Sequence, residues 1–452
     1  MLLGEGYRKL RMQLRKEGQP RLIQAVIDMF SLPDLRRRLL FTLGILVAFR
    51  FMVHVPAPVV TPEILQRLAE TFEQNQLLGM LDLFSGGAMK NFSVAALGVY
   101  PYITASIIMQ LLVPVIPRLR SIAQAGEAGQ GKINRITHLA SVPLAALQGY
   151  AQITLLHSQN IIGNIETPLI AVTIISITAG TVFLVWLGEL ITERGIGNGI
   201  SIIIFAGIVA SLADTVGRGQ LAARENPLGL ITFIILGLAT LVFIVMFIEA
   251  HRRIPVQYAR STFRGGRMYR QSGSNYIPLR VNTAGMIPLI FAIALMQFPG
   301  VIASYFANPT NPNLADKIMY IFNPSTALPA GLIYQGLYFA LVIGFTFFYT
   351  MVIFEQMNLP ETLQRQGGFI PGVRPGKATA DYLNRTIKHL TFGGAFFLAL
   401  VAIMPFIARV VTGITVLAIS STALLIAVGV ALDTMKQLEA QLTMRRYEGF
   451  LK

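Results

Sequence analysis

The chain has 452 residues, 54% of them apolar and only 13% charged, with a formal net charge of +15. An ordinary globular domain carries about 25% charged residues, so this composition excludes a soluble domain and points to a polytopic helical membrane protein. The absence of cysteine excludes disulfides, thiolate nucleophiles and Cys-ligated zinc or iron–sulfur sites.

The first segment, 1–38, is basic, with no apolar core or cleavage site of signal-peptide type, so the first span is expected to stay as an anchor. Within it, PRLIQAVIDMF sets Leu22, Ile23, Val26, Ile27 and Phe30 on one helical face. That pattern suits a helix lying along the membrane interface or one packed on the protein's own surface. SLPDLRRR then supplies a break, a cap candidate at Asp34 and three arginines. Ten spans follow, at about 39–55, 93–113, 136–157, 168–188, 198–213, 228–249, 282–306, 328–354, 389–408 and 411–432. The connecting segments and termini alternate in charge. One set holds 30 Lys and Arg, the other 6, and Arg50 inside the first span completes the 37. By the positive-inside rule both termini are expected in the cytoplasm. The chain then divides into an N-terminal segment (1–38), a first half (39–213), a second half (214–432) and a C-terminal tail (433–452).

Between the first two spans lies MLDLFSGGAMKNF, residues 80–92. It is too apolar for an ordinary loop and too short to cross a bilayer. The second span contains GVYPYITASIIMQ and the seventh GMIPLIFAIALMQ, and six of thirteen positions agree. The agreement includes Gly98 with Gly285, Pro101 with Pro288, Ile103 with Ile290, and Gln110 with Gln297. Five spans separate the two, so they cross in opposite directions. That is the signature of an inverted repeat, whose interface is where a pathway is expected. Farther on, Glu189 and Glu193 sit beside Arg194 at the cytoplasmic end of the fourth span. Two long cytoplasmic loops follow, about 250–281 with seven arginines and about 355–388 rich in Gly and Pro. Both are expected to be ordered protrusions.

Catalytic signatures are missing: there is no H-E-x-x-H, G-x-S-x-G or G-x-x-x-x-G-K-[ST]. The five histidines are scattered, mostly near span ends, where packing is the expected role. Midspan charge is almost absent, which counts against an ion-coupled pump. An inverted-repeat transporter of a small solute remains the alternative reading.

The stretches LFSGGAMKNFSVAALGVYPYITASIIMQLL, WLGELITERGIGNGISIIIFAGIVA, NTAGMIPLIFA, LPETLQRQGGFIPGVRPGKATADYL and the closing MRRYEGFLK resemble the SecY family, the channel subunit of the bacterial protein translocase. The resemblance implies an all-α polytopic fold of ten transmembrane helices, in two inverted five-helix halves with a re-entrant plug. It puts the plug at about 80–90, including Leu81, Leu83, Phe84, Ser85, Gly86 and Gly87. It implies a pore ring of Val99, Ile103, Ile204, Ile290, Leu424 and Ile426. A lateral gate would run between the second and third spans and the seventh and eighth, with Thr104, Gln110, Asn282 and Phe298 on the seam. Arg374 matches the loop arginine that serves the motor, and Arg252, Arg253 and Arg267 match basic positions that meet the ribosome. By the same resemblance the chain is no enzyme, needs no cofactor or metal, and lies in the bacterial plasma membrane. Expected partners are SecE and SecG, the SecA ATPase, a translating ribosome, signal sequences, nascent polypeptides and membrane lipid.

Overall fold

A computed structural model describes residues 33–74, 82, 85–123, 125–158, 161–163, 166–211, 227–264, 267–304, 306, 313–322, 330–412 and 421–450. The expected interfacial helix at 22–30 lies outside them. The first span is α1 (Pro33–Val53), which begins on a proline that needs no N–H there and carries Asp34 in its first turn. Its faces differ: Leu35, Ile45, Phe49 and Val53 are buried, whereas Leu40, Leu43, Val47 and Phe51 are exposed. An exposed apolar stripe of this kind fits a lipid-facing surface. The short α2 (Pro62–Gln74) follows.

The remaining spans of the first half are α3 (Tyr100–Val115), α5 (Glu127–Ser158), α6 (Thr167–Arg194) and α7 (Gly199–Ser211). Between α3 and α5 the short α4 (Pro117–Ala123) turns away from α3 by 103°. The second half contains α8 (Pro227–Glu249), α9 (Ile287–Ser304), α10 (Leu314–Ile321), α11 (Ala330–Met357), α12 (Leu359–Arg365), α13 (Lys377–Thr412) and α14 (Ser421–Phe450). Leaving out α2, α4, α10 and α12, these helices coincide with the ten apolar runs. The turn between α6 and α7 explains GIGNG. A Cβ at Gly199 would overlap the Gly188 carbonyl, so α7 folds tightly onto the end of α6. The Gly199 amide donates to the Thr192 hydroxyl across that turn at 2.9 Å.

The repeat has a structural counterpart. Gly98 and Gly285 both take positive φ, 56° and 64°. Each stands three residues before a proline in the first turn of its helix, Pro101 in α3 and Pro288 in α9. Helix therefore starts later than the sequence suggests, at 100 rather than 93 and at 287 rather than 282. The backbone before each helix is irregular but tied down: Ala57 N donates to Phe92 O at 3.0 Å, Val94 N to Val55 O at 2.9 Å, and Val281 N to Ala250 O at 3.0 Å. At 16 residues α3 is about 24 Å long, short of the roughly 30 Å hydrocarbon core. Irregular backbone can complete a crossing only inside protein or beside a water-filled cavity.

The long loops build a small platform. Loop 250–281 is an antiparallel hairpin of β1 (His251–Arg264) and β2 (Arg267–Arg280), and β3 (Gly368–Phe369) from the second loop adds to β1 at Gln257 and Tyr258. Alternation drives the fold: Ile254 and Val256 point inward, while Arg253 and Pro255 are exposed. Ile254 and Val256 share a core with Leu279, Leu363, Ile370, Leu383 and Ile387. This is the one sheet among the described residues.

Candidate functional site

A cavity of about 820 Å³ lies between the two halves, lined from α3, α7, α9, α11 and α14 and from Arg280 at the end of β2. Its outer wall is polar, with Asn198, Arg280, Asn282, Asp433 and Lys436 among the lining residues, and Arg280 meets Asp433 at 3.5 Å. Its inner wall carries Ile103, Ile204, Ile290 and Ile426. Four elements from both halves converge there: α3 and α7 from the first, α9 and α14 from the second. Val99, Ile204, Ile290 and Ile426 are all buried in one cluster, and Ile103 packs against it. Ile103 and Ile290, partners in the repeat, thus come together where the two inverted helices begin. Leu424 does not join them. It packs with Leu425 in the core of the second half. Two residues along a helix rotate the side chain by about 200°, so Leu424 and Ile426 cannot face the same point. Met286, not anticipated from the sequence, touches both clusters.

The segment expected to be the plug reaches the isoleucine cluster through Ala88. Leu81, Leu83 and Phe84 lie outside the described residues. The Ser85 hydroxyl donates to the Asp82 carbonyl at 3.0 Å and accepts from Met89 N at 3.0 Å, while Asp82 Oδ1 accepts from Lys90 N at 2.9 Å. These bonds gather Asp82 and residues 85–90 into a compact knot. Ala88, two residues past Gly86, is buried in the same cluster as the isoleucines. Gly86 has φ 70°, and a Cβ there would lie 2.8 Å from Gly207 Cα and 3.0 Å from the Phe49 ring. Arg50 completes the clasp by donating from Nη1 to the Gly86 carbonyl at 2.9 Å. No local pattern signals this contact, because the partner of Arg50 lies 36 positions away. Gly86→Val should dislodge the knot, since backbone strain and overlap with Gly207 act together. The expected result is a measurable rise in resting ion conductance of the reconstituted protein, smaller than for loss of the ring.

The seam between the halves is mainly apolar. Ile107 of α3 packs with Phe291 of α9 and Tyr349 of α11. Phe291 meets Phe345 and Tyr349 edge to face at 5.7 and 6.0 Å. Thr104 donates to Tyr100 O at 3.0 Å and lies 3.5 Å from Gln148 Nε2 of α5. Gln110 donates to Ser106 at 3.4 Å, and Asn282 to Gly285 O at 3.1 Å. Gln110 and Asn282 both line the cavity but do not bond each other; the carbonyl oxygen of each is left without a protein partner. The backbone of Phe298 lies in α9. His138 of α5 pairs with Glu189 of α6 at 2.7 Å, and its ring lies 5.0 Å from that of Tyr102, tilted by 40°.

On the platform Arg252 and Arg253 are exposed, and the Arg253 guanidinium lies 4.9 Å from the Tyr276 ring centre. Arg267 opens β2 and pairs in register with Arg264. Arg374 is exposed on a turn whose backbone is pinned, with the Thr379 hydroxyl donating to its carbonyl at 2.9 Å.

Comparison with known proteins gives one answer. The family model described as SecY matches residues 93–435. The protein translocase subunit SecY of Halalkalibacterium halodurans is 41% identical over 444 residues, covering 95% of this chain and 100% of that protein. Its counterpart in Thermus thermophilus is 42% identical over 439 residues, covering 95% and 98%. A solved structure described as a protein conducting channel superimposes with a TM-score of 0.66 at 18% identity, covering 90% of this chain and 92% of that one. The match spans both halves, the repeat and the platform alike, and on that breadth the chain belongs to the SecY family.

Proposed function

We propose that this chain is the pore of a Sec protein translocase, passing unfolded polypeptides outward and releasing apolar segments sideways into lipid. The observation that carries the reading is the cavity with a polar mouth and an aliphatic inner wall. A passage for extended chains must hold back ions when idle. A ring of charged side chains would select ions, whereas a constriction of branched aliphatics excludes water and closes around any chain. Val99, Ile103, Ile204, Ile290 and Ile426 form that constriction, and the knot at 85–90 belongs to its plug. No charged group stands among the described residues of the inner wall, where a transporter of a small charged solute would need one.

The platform side faces the cytoplasm, with both termini, and the chain crosses the bacterial plasma membrane in two halves, 39–213 and 214–432. It acts as a passage and not as an enzyme: its sequence holds no G-x-x-x-x-G-K-[ST] motif for a nucleotide, and the energy comes from a docked partner. The platform receives the SecA ATPase at Arg374 and a translating ribosome at Arg252, Arg253 and Arg267, where guanidinium forks suit RNA phosphates. SecE and SecG cover part of the exposed apolar faces, lipid the rest. Thr104, Gln110, Asn282 and Phe298 lie along the lateral exit.

A stalled secretory chain carrying a photoreactive residue tests this reading. It is expected to cross-link to positions 103, 204 and 290 and to spare the exposed Leu238 of α8. Equal labelling at Leu238 and Ile204 would remove the central pathway.

A further inference from the structure

The two halves also meet outside the constriction, at the platform end of the seam. Arg120 of α4 and Glu355 of α11 are 235 residues apart, and the Arg120 Nη2 donates to Glu355 Oε1. The ion pair His138–Glu189 stays within the first half, and Arg280–Asp433 and Lys436–Glu249 tie the second half to the C-terminal tail that continues α14. Arg120–Glu355 joins one half to the other. We propose that it is an electrostatic latch that holds the lateral seam shut and that movement of the docking platform releases. The proposal rests on the reading of the chain as a laterally opening channel.

The placement of Glu355 supports the coupling. Three consecutive residues of α11 have three different neighbourhoods. Ile353 lines the cavity and packs in the seam cluster. Phe354 packs against the platform core. Glu355 pairs with Arg120. A shift of the platform against the spans therefore moves Phe354, and the next residue with it. On the other side, Arg120 stands within one turn of the 103° bend between α3 and α4 and rides with the end of α3 that carries Ile107 and Gln110. Deeper in the seam the contact is Ile107 against Phe291 and Tyr349, and Gln110 and Asn282 do not bond each other. The pair supplies a charge contact at one end of an otherwise greasy joint.

The latch is weak by construction. Both side chains are about half exposed or more, 51% for Arg120 and 64% for Glu355. Water and salt screen such a pair, and it biases an equilibrium by at most about fivefold. A weak clasp suits a gate that opens under a modest load.

The test uses the complete chain, reconstituted with its partner subunits, and a precursor bearing a labelled segment of marginal hydrophobicity. The readout is the fraction of that segment released into lipid. Arg120→Glu and Glu355→Arg each place like charges together, and each is expected to raise the released fraction about two- to fivefold. The double exchange restores the pair and should return the fraction to the wild-type value; Arg120→Lys should stay close to it. Raising salt from about 50 to about 500 mM should increase release in the wild type but leave Glu355→Gln unchanged. Both groups are exposed, so the substitutions do not threaten folding. If the double exchange shows the product of the two single effects, or if wild-type release is independent of salt, the latch is overturned while the channel reading stands. If the wild type releases no segment at any hydrophobicity, both fall.

Discussion

A triple variant, Ile103→Asn, Ile204→Asn and Ile290→Asn, is expected to conduct ions at rest in a planar bilayer where the parent protein is silent. These three side chains come from α3, α7 and α9 and meet in one apolar cluster at the cavity wall. Removing each forfeits about 1.5–3 kcal/mol of apolar burial. A tenfold change in population corresponds to about 1.4 kcal/mol. The closed, dewetted arrangement should therefore lose at least about tenfold in weight against a wetted one, even if much of the change is absorbed by repacking. The matched control is Ile→Val at the same positions, which keeps branched aliphatic surface and should keep the seal. Leu424→Asn is the internal contrast. Because Leu424 packs in the core of the second half, it should lower thermal stability without adding conductance. Unchanged conductance in the triple variant, with the complex intact, would remove the ring from the mechanism.

What the sequence made legible was what repeats or runs. Ten apolar runs became ten helices because hydropathy and length alone decide whether a segment can cross. The pairing of Ile103 with Ile290 was readable from thirteen aligned positions, since Gly98 and Gly285, and Pro101 and Pro288, do the same local work at two helix starts. Contacts between distant positions were not readable. Arg50 with Gly86 and Arg120 with Glu355 are chosen by packing of whole halves, and no local pattern encodes them. Gln110 and Asn282 do not bond each other, because each amide donates to a neighbour within four residues, Ser106 and the Gly285 carbonyl. The hairpin at 251–280 was legible only as an ordered loop. Its many arginines mask the alternation that Ile254 and Val256 reveal once the strand is seen. The third strand is two residues long and borrows its register from β1, so it exists only in the assembled platform.

Charge reversal at Arg374 should stop motor-driven translocation while leaving assembly and signal-independent sealing intact. The residue stands on PGVRPG, where Gly372 and Gly376 take φ of 81° and 100° and Val373 N donates to Ile370 O at 3.1 Å. Ile370 is buried in the platform core and Val373 packs against it, so the turn is anchored from below. The side chain itself projects to water and makes no hydrogen bond or ion pair among the described residues. A rigid base under an unpartnered guanidinium is an arrangement with little use to the fold and much to a docked partner, because little ordering entropy is left to lose on binding. Arg374→Glu turns attraction into like-sign repulsion, which costs several kcal/mol at an interface and so about two orders of magnitude or more in motor affinity. Arg374→Lys keeps the charge but loses the two-pronged fork, so an intermediate loss is expected. The measurement is ATP-driven uptake of a secretory precursor into vesicles, alongside direct binding of the motor. Full uptake by Arg374→Glu would mean that the motor grips the platform elsewhere, and the exposed arginines of β1 would be the next positions to reverse.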